Sequence, residues 1–486
     1  MSPFRILQIA ALAGAVIASA PGRAQAFCGF FVAGSDQKLT NNASQVVLMR
    51  KGNRTVMTMS NTDQGPPQNF AMVVPVPVVL QKKDVKTLPA DVFDRVDSLS
   101  APRLVEYWEQ DPCRPSVAEA YGVGGLGLVG TGSGGGGKAK GDLGVTIEAK
   151  FVAGEYEVLI LSATDSSGLE TWLRREKYNI PQGASEALAP YIRDKSKFFV
   201  AKVNIKKVKR DAQGVVQLSP LRFSFDANEL RLPVRLGLLN AAGKQDLIVY
   251  VIHPKSRFEV ANYANTFIPT NLEVADGVRN NFPAFFAELF DATVEKMGRK
   301  VIVTEYAWQT TGCDPCPVPP LSPEDLATLG LDVLEGAAPT GPSNAPRGGM
   351  IFGGGPSWVL TRLHARYSKE TLAEDLIFRE AKPAMGGRAN WNGTNGDEGA
   401  SVAGADGINN FQGRYIIRHY WDKPVACKTP VYDQWGGAPG NPDARPKPTA
   451  AKGLATAPRG KVALKTEVRS PVPLLGIPGK PPLRQK

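Results

Sequence analysis

The sequence predicts an α+β fold: mixed, mainly antiparallel sheet with several short helices, stabilised by disulfides and followed by a disordered C-terminal tail. Strand-like runs of β-branched residues outnumber helical stretches and do not alternate regularly with them, which argues against a doubly wound sheet. The 486 residues are 43% hydrophobic, which suffices for a well-buried core. The 50 glycines and 39 prolines indicate many loops.

Residues 1–26 are typical of a secretory signal peptide. An apolar run over residues 6–20 follows Arg5, and residues 24–26 (Ala-Gln-Ala) form a small-residue cleavage pattern. The run is shorter than the ~20 residues that span a bilayer, and no later segment is long and apolar enough to do so. We therefore expect an exported chain, periplasmic or extracellular, with no transmembrane span after cleavage. Cys28 lies beyond the cut, so a lipid anchor is not predicted.

Residues 27–121 form the N-terminal β-rich part of the predicted domain. Residues 45–61 are predicted as a hairpin, because two β-branched runs flank a Lys-Gly-Asn turn signal. Residues 69–80 continue as a strand that prolines confine to a sheet edge. Residues 91–109 are predicted to be helical in two pieces, interrupted by a proline.

A glycine-rich insert, residues 122–142, precedes the central and C-terminal α+β part, residues 143–436. A helix begins near Asp165, and either Asp165 or a neighbouring serine can cap it. Residues 283–298 form a second helix with proline in its first turn and glycine at its exit. Ser322 is predicted to cap a third helix. Strands are predicted over 145–151, 155–163, 198–208, 230–239, 246–254, 300–308, 357–367 and 413–421, and a Gly/Asn/Asp-rich loop over 384–412.

The basic charge is concentrated in the tail. Residues 437–486 hold ten Lys/Arg and two acidic residues, whereas the formal net charge of the whole chain is +11. The body is therefore nearly neutral, and a nucleic-acid-binding role is not predicted. We expect a disordered Pro/Lys-rich tail that is either inert or contacts an anionic lipid or polymer surface.

Seven blocks of the sequence stand out together: CGFFVAG (28–34), FAMVVPVP (70–77), LSAPRLVEYWE (99–109), GEYEVLILSATDSSGLETWL (154–173), RLPVRLGLLNAAGKQDLIVYVIHP (231–254), TGCDPCP (311–317) and LTRLHARYSKETLAEDLIF (360–378). With them the chain resembles the domain-of-unknown-function 2330 family of bacterial exported proteins, over roughly residues 28–430. The resemblance implies a protein of the bacterial envelope. It assigns no catalytic residue, because the family has no established activity.

The cysteines Cys28, Cys113, Cys313, Cys316 and Cys427 are disulfide candidates in an oxidising compartment. Two bridges would leave one thiol, and the spacing alone does not fix the pairing.

The pair Cys313 and Cys316 allows several interpretations. A structural disulfide that fixes a strand-to-helix loop is favoured. A thiol-disulfide oxidoreductase is the alternative, although reactive thiols of such enzymes usually lie at a helix N-terminus, and here the helix begins only after Ser322. Pro317 stands where haem attachment needs histidine, and three histidines in the whole chain give little support to a zinc site.

Other motifs do not carry a function. Residues 132–138 match the glycine-rich part of a phosphate-binding loop, but Ala139 replaces the required Ser or Thr. No common hydrolase motif occurs, and His253 and His364 fit structural roles on strands better than catalytic ones. No catalytic residue, metal site or cofactor is therefore predicted.

Trp391 is the weak candidate for ligand contact, because it lies in the long 384–412 loop and a flat aromatic face suits a sugar ring. The acidic residues of that loop lack the spacing of a calcium site. The sequence thus favours a non-enzymatic envelope protein that binds an unidentified envelope component. The alternatives are an oxidoreductase through Cys313 and Cys316, or a glycan-binding module.

Overall fold

The described part of the chain excludes the predicted signal peptide, Cys28, the glycine-rich insert and Trp391. The computed structural model describes residues 30–33, 43–60, 70–113, 144–178, 180–210, 216–239, 243–335, 358–388, 400–402, 408–441, 446–454 and 457–481.

The largest sheet has eleven strands and is mainly antiparallel. In spatial order these are β22 (Ala400–Val402), β21 (Ala384–Gly386), β23 (Asn410–Gln412), β18 (Val301–Gln309), β19 (Val359–Tyr367), β14 (Gln245–His253), β2 (Ala43–Lys51), β3 (Arg54–Met59), β12 (Leu221–Asp226) and β5 (Val85–Thr87), with β16 (Ala264–Phe267) beside β18. β2 and β3 form the predicted hairpin, whereas β14 pairs with β2 in parallel.

A second sheet of five antiparallel strands packs on one face of the first. Its strands are β1 (Phe30–Ala33), β4 (Phe70–Val76), β9 (Lys197–Val203), β8 (Tyr156–Ala163) and β7 (Val145–Ala153). Helices α2 (Ser166–Arg175) and α3 (Ala184–Arg193) cover its outer face, and Asp165 caps α2 as predicted.

The alternation of side chains along each strand builds the core. Val46 and Leu48 of β2 point toward the second sheet, whereas Val47 and Met49 point the other way. There they meet helix α1 (Asp91–Ser100) and the short helical turns α5 (Pro323–Leu326), Ala327–Leu331 and α6 (Asp332–Leu334). The result is a helix–sheet–sheet–helix stack, which confirms the predicted α+β class.

A third sheet region is partly parallel. It contains β17 (Leu272–Glu273), β24 (Arg414–His419), β6 (Arg103–Glu109) and β25 (Trp435–Gly436), with β26 (Thr449–Ala450) also paired to β6. β17, β24 and β6 run parallel to one another. Helix α4 (Phe282–Lys296), predicted from its periodicity, packs three phenylalanines around Tyr415 of β24.

The remaining elements are short. They are the three-stranded sheet β13 (Leu230–Leu232), β20 (Leu376–Ala381) and β15 (Arg257–Val260), the pair β10 (Lys209–Arg210) and β11 (Val216–Gln217), helix α7 (Leu464–Glu467), and single 3₁₀ turns at Lys82–Asp84, Arg235–Leu239, Asp276–Asn280 and Pro473–Leu475.

The predicted second helical piece of 91–109 is wrong. Helix α1 ends at Ser100, and residues 103–109 form strand β6. Pro102 stops the helix, and the aromatic and β-branched residues beyond it suit a pleated surface. The predicted strand 230–239 is likewise limited to β13, since a 3₁₀ turn occupies its second half.

The expectation of a disordered tail needs correction over residues 446–454 and 457–481. Val468, Val472 and Ile477 are buried against the same apolar cluster as α4, and β26 adds a strand to β6. The apolar residues scattered among the prolines therefore pack against the apolar cluster that contains α4, and composition alone does not predict this contact. Contact of this segment with an anionic surface stays a prediction.

No helix within the described residues is long and apolar enough to cross a membrane. The domain boundaries drawn from the sequence stay predictions.

Candidate ligand-binding site

The candidate site lies where two parallel strands end. The pairing of β6 with β24 sets Trp108 beside His419. Their rings stack, with centroids 4.6 Å apart and planes inclined by 14°. Because both strands end at the same edge, the segments that follow them also meet there.

Two charged side chains, Glu106 and Arg279, lie against this stack. The Glu106 carboxylate accepts two hydrogen bonds of 2.6 Å from the Arg279 guanidinium, one at each oxygen. It also faces Nε2 of His419 at 2.8 Å. The Arg279 hydrogen bonds are the largest cause that lowers the pKa of Glu106. Glu106 is therefore a fixed negative charge at neutral pH.

A second group of half-buried aromatic rings lies on the opposite face of β6 and β24, where Trp435 pairs with Glu109. Tyr420 and Trp435 meet edge to face at 5.2 Å, and the Arg418 guanidinium lies 5.2 Å from the Trp435 ring. Arg418 and the Tyr420 hydroxyl both donate to Glu273. Burial raises the pKa of Tyr420 to about 12, so the hydroxyl stays protonated.

A buried carboxylate and a disulfide fix the loop that carries these rings. Glu109 is 5% exposed and accepts hydrogen bonds from the backbone N–H groups of Trp421 (3.0 Å) and Asp433 (2.8 Å). The Cys113–Cys427 bridge joins the segments after β6 and β24. The site is consequently held by covalent and buried polar contacts.

Two pockets open on either side of Arg279, with volumes of about 430 Å³ and 170 Å³. The C-terminal segment supplies one wall of both. The larger pocket is lined by Ser98, Arg279, Phe282, Pro283, Pro317, Val318, Thr449, Ala450, Ala451 and Lys452. The smaller is lined by Leu104, Glu106, Trp108, Arg279, Phe282, Pro446, Lys447 and Thr449.

The chain matches the model of a known family. The family described as an uncharacterized protein conserved in bacteria (DUF2330) matches residues 22–379. This chain belongs to the DUF2330 family. The resemblance expected over roughly 28–430 is thus confirmed, with an earlier C-terminal limit. The family match contains β6 and Arg279, whereas β24 and the C-terminal segment lie beyond it. No curated protein and no solved structure matches the chain.

The structure pairs four of the five predicted cysteines. Cys113 bonds to Cys427, and Cys313 bonds to Cys316. The local bridge lies in the loop between β18 and α5. Ser322 caps α5 as predicted, and Ser322 and Asp325 exchange reciprocal hydrogen bonds. Cys28 and Trp391 lie outside the described residues, so neither contributes to the site described above.

His364 lies in a buried charge network rather than in a pocket. Its Nδ1 faces Glu305 at 2.6 Å and its Nε2 faces Asp246 at 3.1 Å, while Arg362 donates to Glu305 at 2.6 Å. His364, Glu305 and Asp246 are at most 2% exposed. Since the imidazole separates the two carboxylates, the three groups do not converge on a common ligand position.

Sequence reasoning missed Glu106, Trp108, Arg279 and His419 as a group. They come from three elements, and only the parallel pairing of β6 with β24 brings them together. The alternation in 103–109, if taken as a strand pattern, places Glu106 and Trp108 on one face and was the available signal.

Proposed function

We propose that this chain is an exported envelope protein and that its β6–β24 site binds an acidic saccharide without catalysing its conversion. One observation carries the proposal. The half-buried Trp108 ring, stacked on His419, adjoins the Glu106 carboxylate and the Arg279 guanidinium in a pocket of about 170 Å³, and Arg279 also borders the pocket of about 430 Å³. Apolar ring faces with a few convergent polar groups are the general pattern of ligand sites, and flat aromatic faces suit sugar rings.

The charges beside the pockets favour an acidic ligand. Arg279, Lys447 and Lys452 line them, and Glu106 is the one carboxylate among the described lining residues. Glu106 is already paired with Arg279, so the two lysines leave the site net positive. A carboxylated sugar would complement that charge.

Binding fits the geometry better than catalysis does. A general acid or base works best with a pKa near the operating pH, whereas the pKa of Glu106 is lowered by Arg279. The His419 ring is stacked on Trp108 and directs Nε2 at Glu106. Glu106 and His419 thus hold neighbouring side chains in place.

Two observations support export. The first 26 residues have the pattern of a signal peptide, and disulfides persist mainly in oxidising compartments. A saccharide of the envelope would be available there.

An array of neutral and acidic oligosaccharides tests the proposal. We expect binding to carboxylated sugars at low salt, and about tenfold weaker binding for Trp108→Ala because one aromatic platform is lost. Tyr263→Ala is the matched control, since it removes a partly buried ring that packs against a different apolar cluster. Equal losses in both variants, or equal binding of neutral and acidic sugars, would contradict the proposal.

A further inference from the structure

A buried positive charge lies beneath the Cys313–Cys316 loop. Arg103 is 0% exposed, and its Nη1 donates to the carbonyl of Pro315 at 2.9 Å, between the two cysteines. Its Nη2 donates to the carbonyls of Leu99 (2.8 Å) and Ala101 (3.1 Å). Nε makes no hydrogen bond to a described residue.

No carboxylate pairs with Arg103 in the described part of the chain, where its contacts are carbonyls and the Tyr306 ring, 5.4 Å away. A buried cation without a counter-ion is unfavourable by several kcal/mol. Burial lowers the pKa of Arg103 to about 10, so the group is still charged at neutral pH.

The charged groups around Arg103 do not neutralise its positive charge. The nearby Arg362 is a second positive charge, and its own hydrogen bonds go to the Asp97 and Glu305 carboxylates. Arg414 adds positive charge as well; it bonds to neutral partners and attracts Asp314, the acid inside the loop. The one acid of the loop thus interacts with Arg414, and no acid among the described residues pairs with Arg103.

We propose that Cys313–Cys316 is a redox-active disulfide that exchanges with thiols of another molecule, and that Arg103 stabilises the thiolate formed when the bridge opens. Both cysteines are partly exposed, and Pro317 and Val318, directly after the pair, line the larger pocket. The helix that follows begins only at Pro323, so a buried cation takes the role that a helix N-terminus has in other redox sites.

The exchange is balanced in two steps. A thiolate of the partner attacks one sulfur of the bridge; a mixed disulfide forms, the Sγ–Sγ bond breaks and the other cysteine leaves as a thiolate, in the loop whose Pro315 carbonyl binds Arg103. A second partner thiolate then attacks the partner's sulfur in the mixed disulfide and releases the second cysteine. The partner is oxidised to a disulfide and the Cys313–Cys316 pair is reduced by two electrons.

The test uses the full chain in glutathione redox buffers, with alkylation and mass spectrometry to read each bridge. Cys113–Cys427 is the internal control. We expect Cys313–Cys316 to be reduced at a glutathione ratio at which Cys113–Cys427 stays oxidised. In the reduced pair, one thiol should alkylate with a pKa at least about one unit below the usual ~8.5, which gives about tenfold more thiolate at pH 7. An ordinary thiol pKa, or simultaneous reduction of both bridges, would overturn the proposal.

Substitutions distinguish the effect of the Arg103 charge on the thiol pKa from the effect of anchoring the loop. Arg103→Lys should keep the lowered thiol pKa, and Arg103→Gln should return it to the ordinary range. Gln412→Ala is the uncharged control, because Gln412 also anchors the loop by donating to the Asp314 carbonyl. If Gln412→Ala raises the thiol pKa as much as Arg103→Gln does, the charge assignment is wrong. If Arg103→Gln does not fold, the alkylation profile of the wild-type and Arg103→Lys proteins still decides.

Discussion

At the scale of single residues, buried ionised groups set much of the chemistry of this molecule. Burial by itself would lower the pKa of His364, but the Glu305 and Asp246 carboxylates outweigh it and raise that pKa. Burial would likewise raise the pKa of Glu305, but His364 and Arg362 lower it. The network therefore holds an imidazolium between two carboxylates.

His364→Gln should lower the free energy of unfolding by about 3–5 kcal/mol at pH 6, because two buried carboxylates lose their shared cation. Since the folded pKa of His364 lies above its ordinary value of ~6.5, its contribution is complete below that pH and is lost as the pH rises through the raised value. Denaturant unfolding at a series of pH values measures both effects.

His253→Gln is the control for that series. Burial lowers the pKa of His253, so its linkage has the opposite sign and its replacement should leave the loss of stability above pH 6.5 in place. If the wild-type protein and His364→Gln lose stability in parallel above pH 6.5, the network does not hold an imidazolium.

At the scale of elements, local signals predicted some parts well and others not. The β2–β3 hairpin, the α4 helix and the Ser322 cap depend on nearby residues and were predictable. Strand β6 was assigned to a helix, because its partners β24 and β26 are distant in sequence. The order of the C-terminal segment was not predicted for the same reason, because its few apolar residues are buried only by packing against the cluster that contains α4.

Arg459→Ala tests the attachment of that segment. Arg459 donates to Asp246 at 3.0 Å and to Asp291 at 2.5 Å, and it is only partly exposed. We expect a loss of roughly 2–3 kcal/mol in the free energy of unfolding, between the values of a surface pair and a buried pair. Lys461→Ala removes an equal charge from an exposed neighbour and should change stability by less than about 0.5 kcal/mol. Equal effects of the two substitutions would show that the segment is not anchored there.

At the scale of the whole molecule, the class was predictable and the site was not. Periodicity and composition gave mixed sheets with short helices, and the helix–sheet–sheet–helix stack agrees with that class. The site needs residues on β6, on β24 and before α4, and its loop is closed by a bridge between cysteines 314 residues apart. No local pattern reports such a juxtaposition, and a ligand position predicted at Trp391 therefore rested on composition alone.

Hydroxyl-radical footprinting with an oligogalacturonate, and with a neutral cello-oligosaccharide as the control, tests the binding site most directly. The acidic sugar should protect Trp108 from oxidation and leave Tyr263, Tyr420 and Trp435 unchanged, and the neutral sugar should protect none of them. Unchanged oxidation of Trp108 under saturating acidic sugar, or protection confined to Trp391, would contradict a binding site at the ends of β6 and β24.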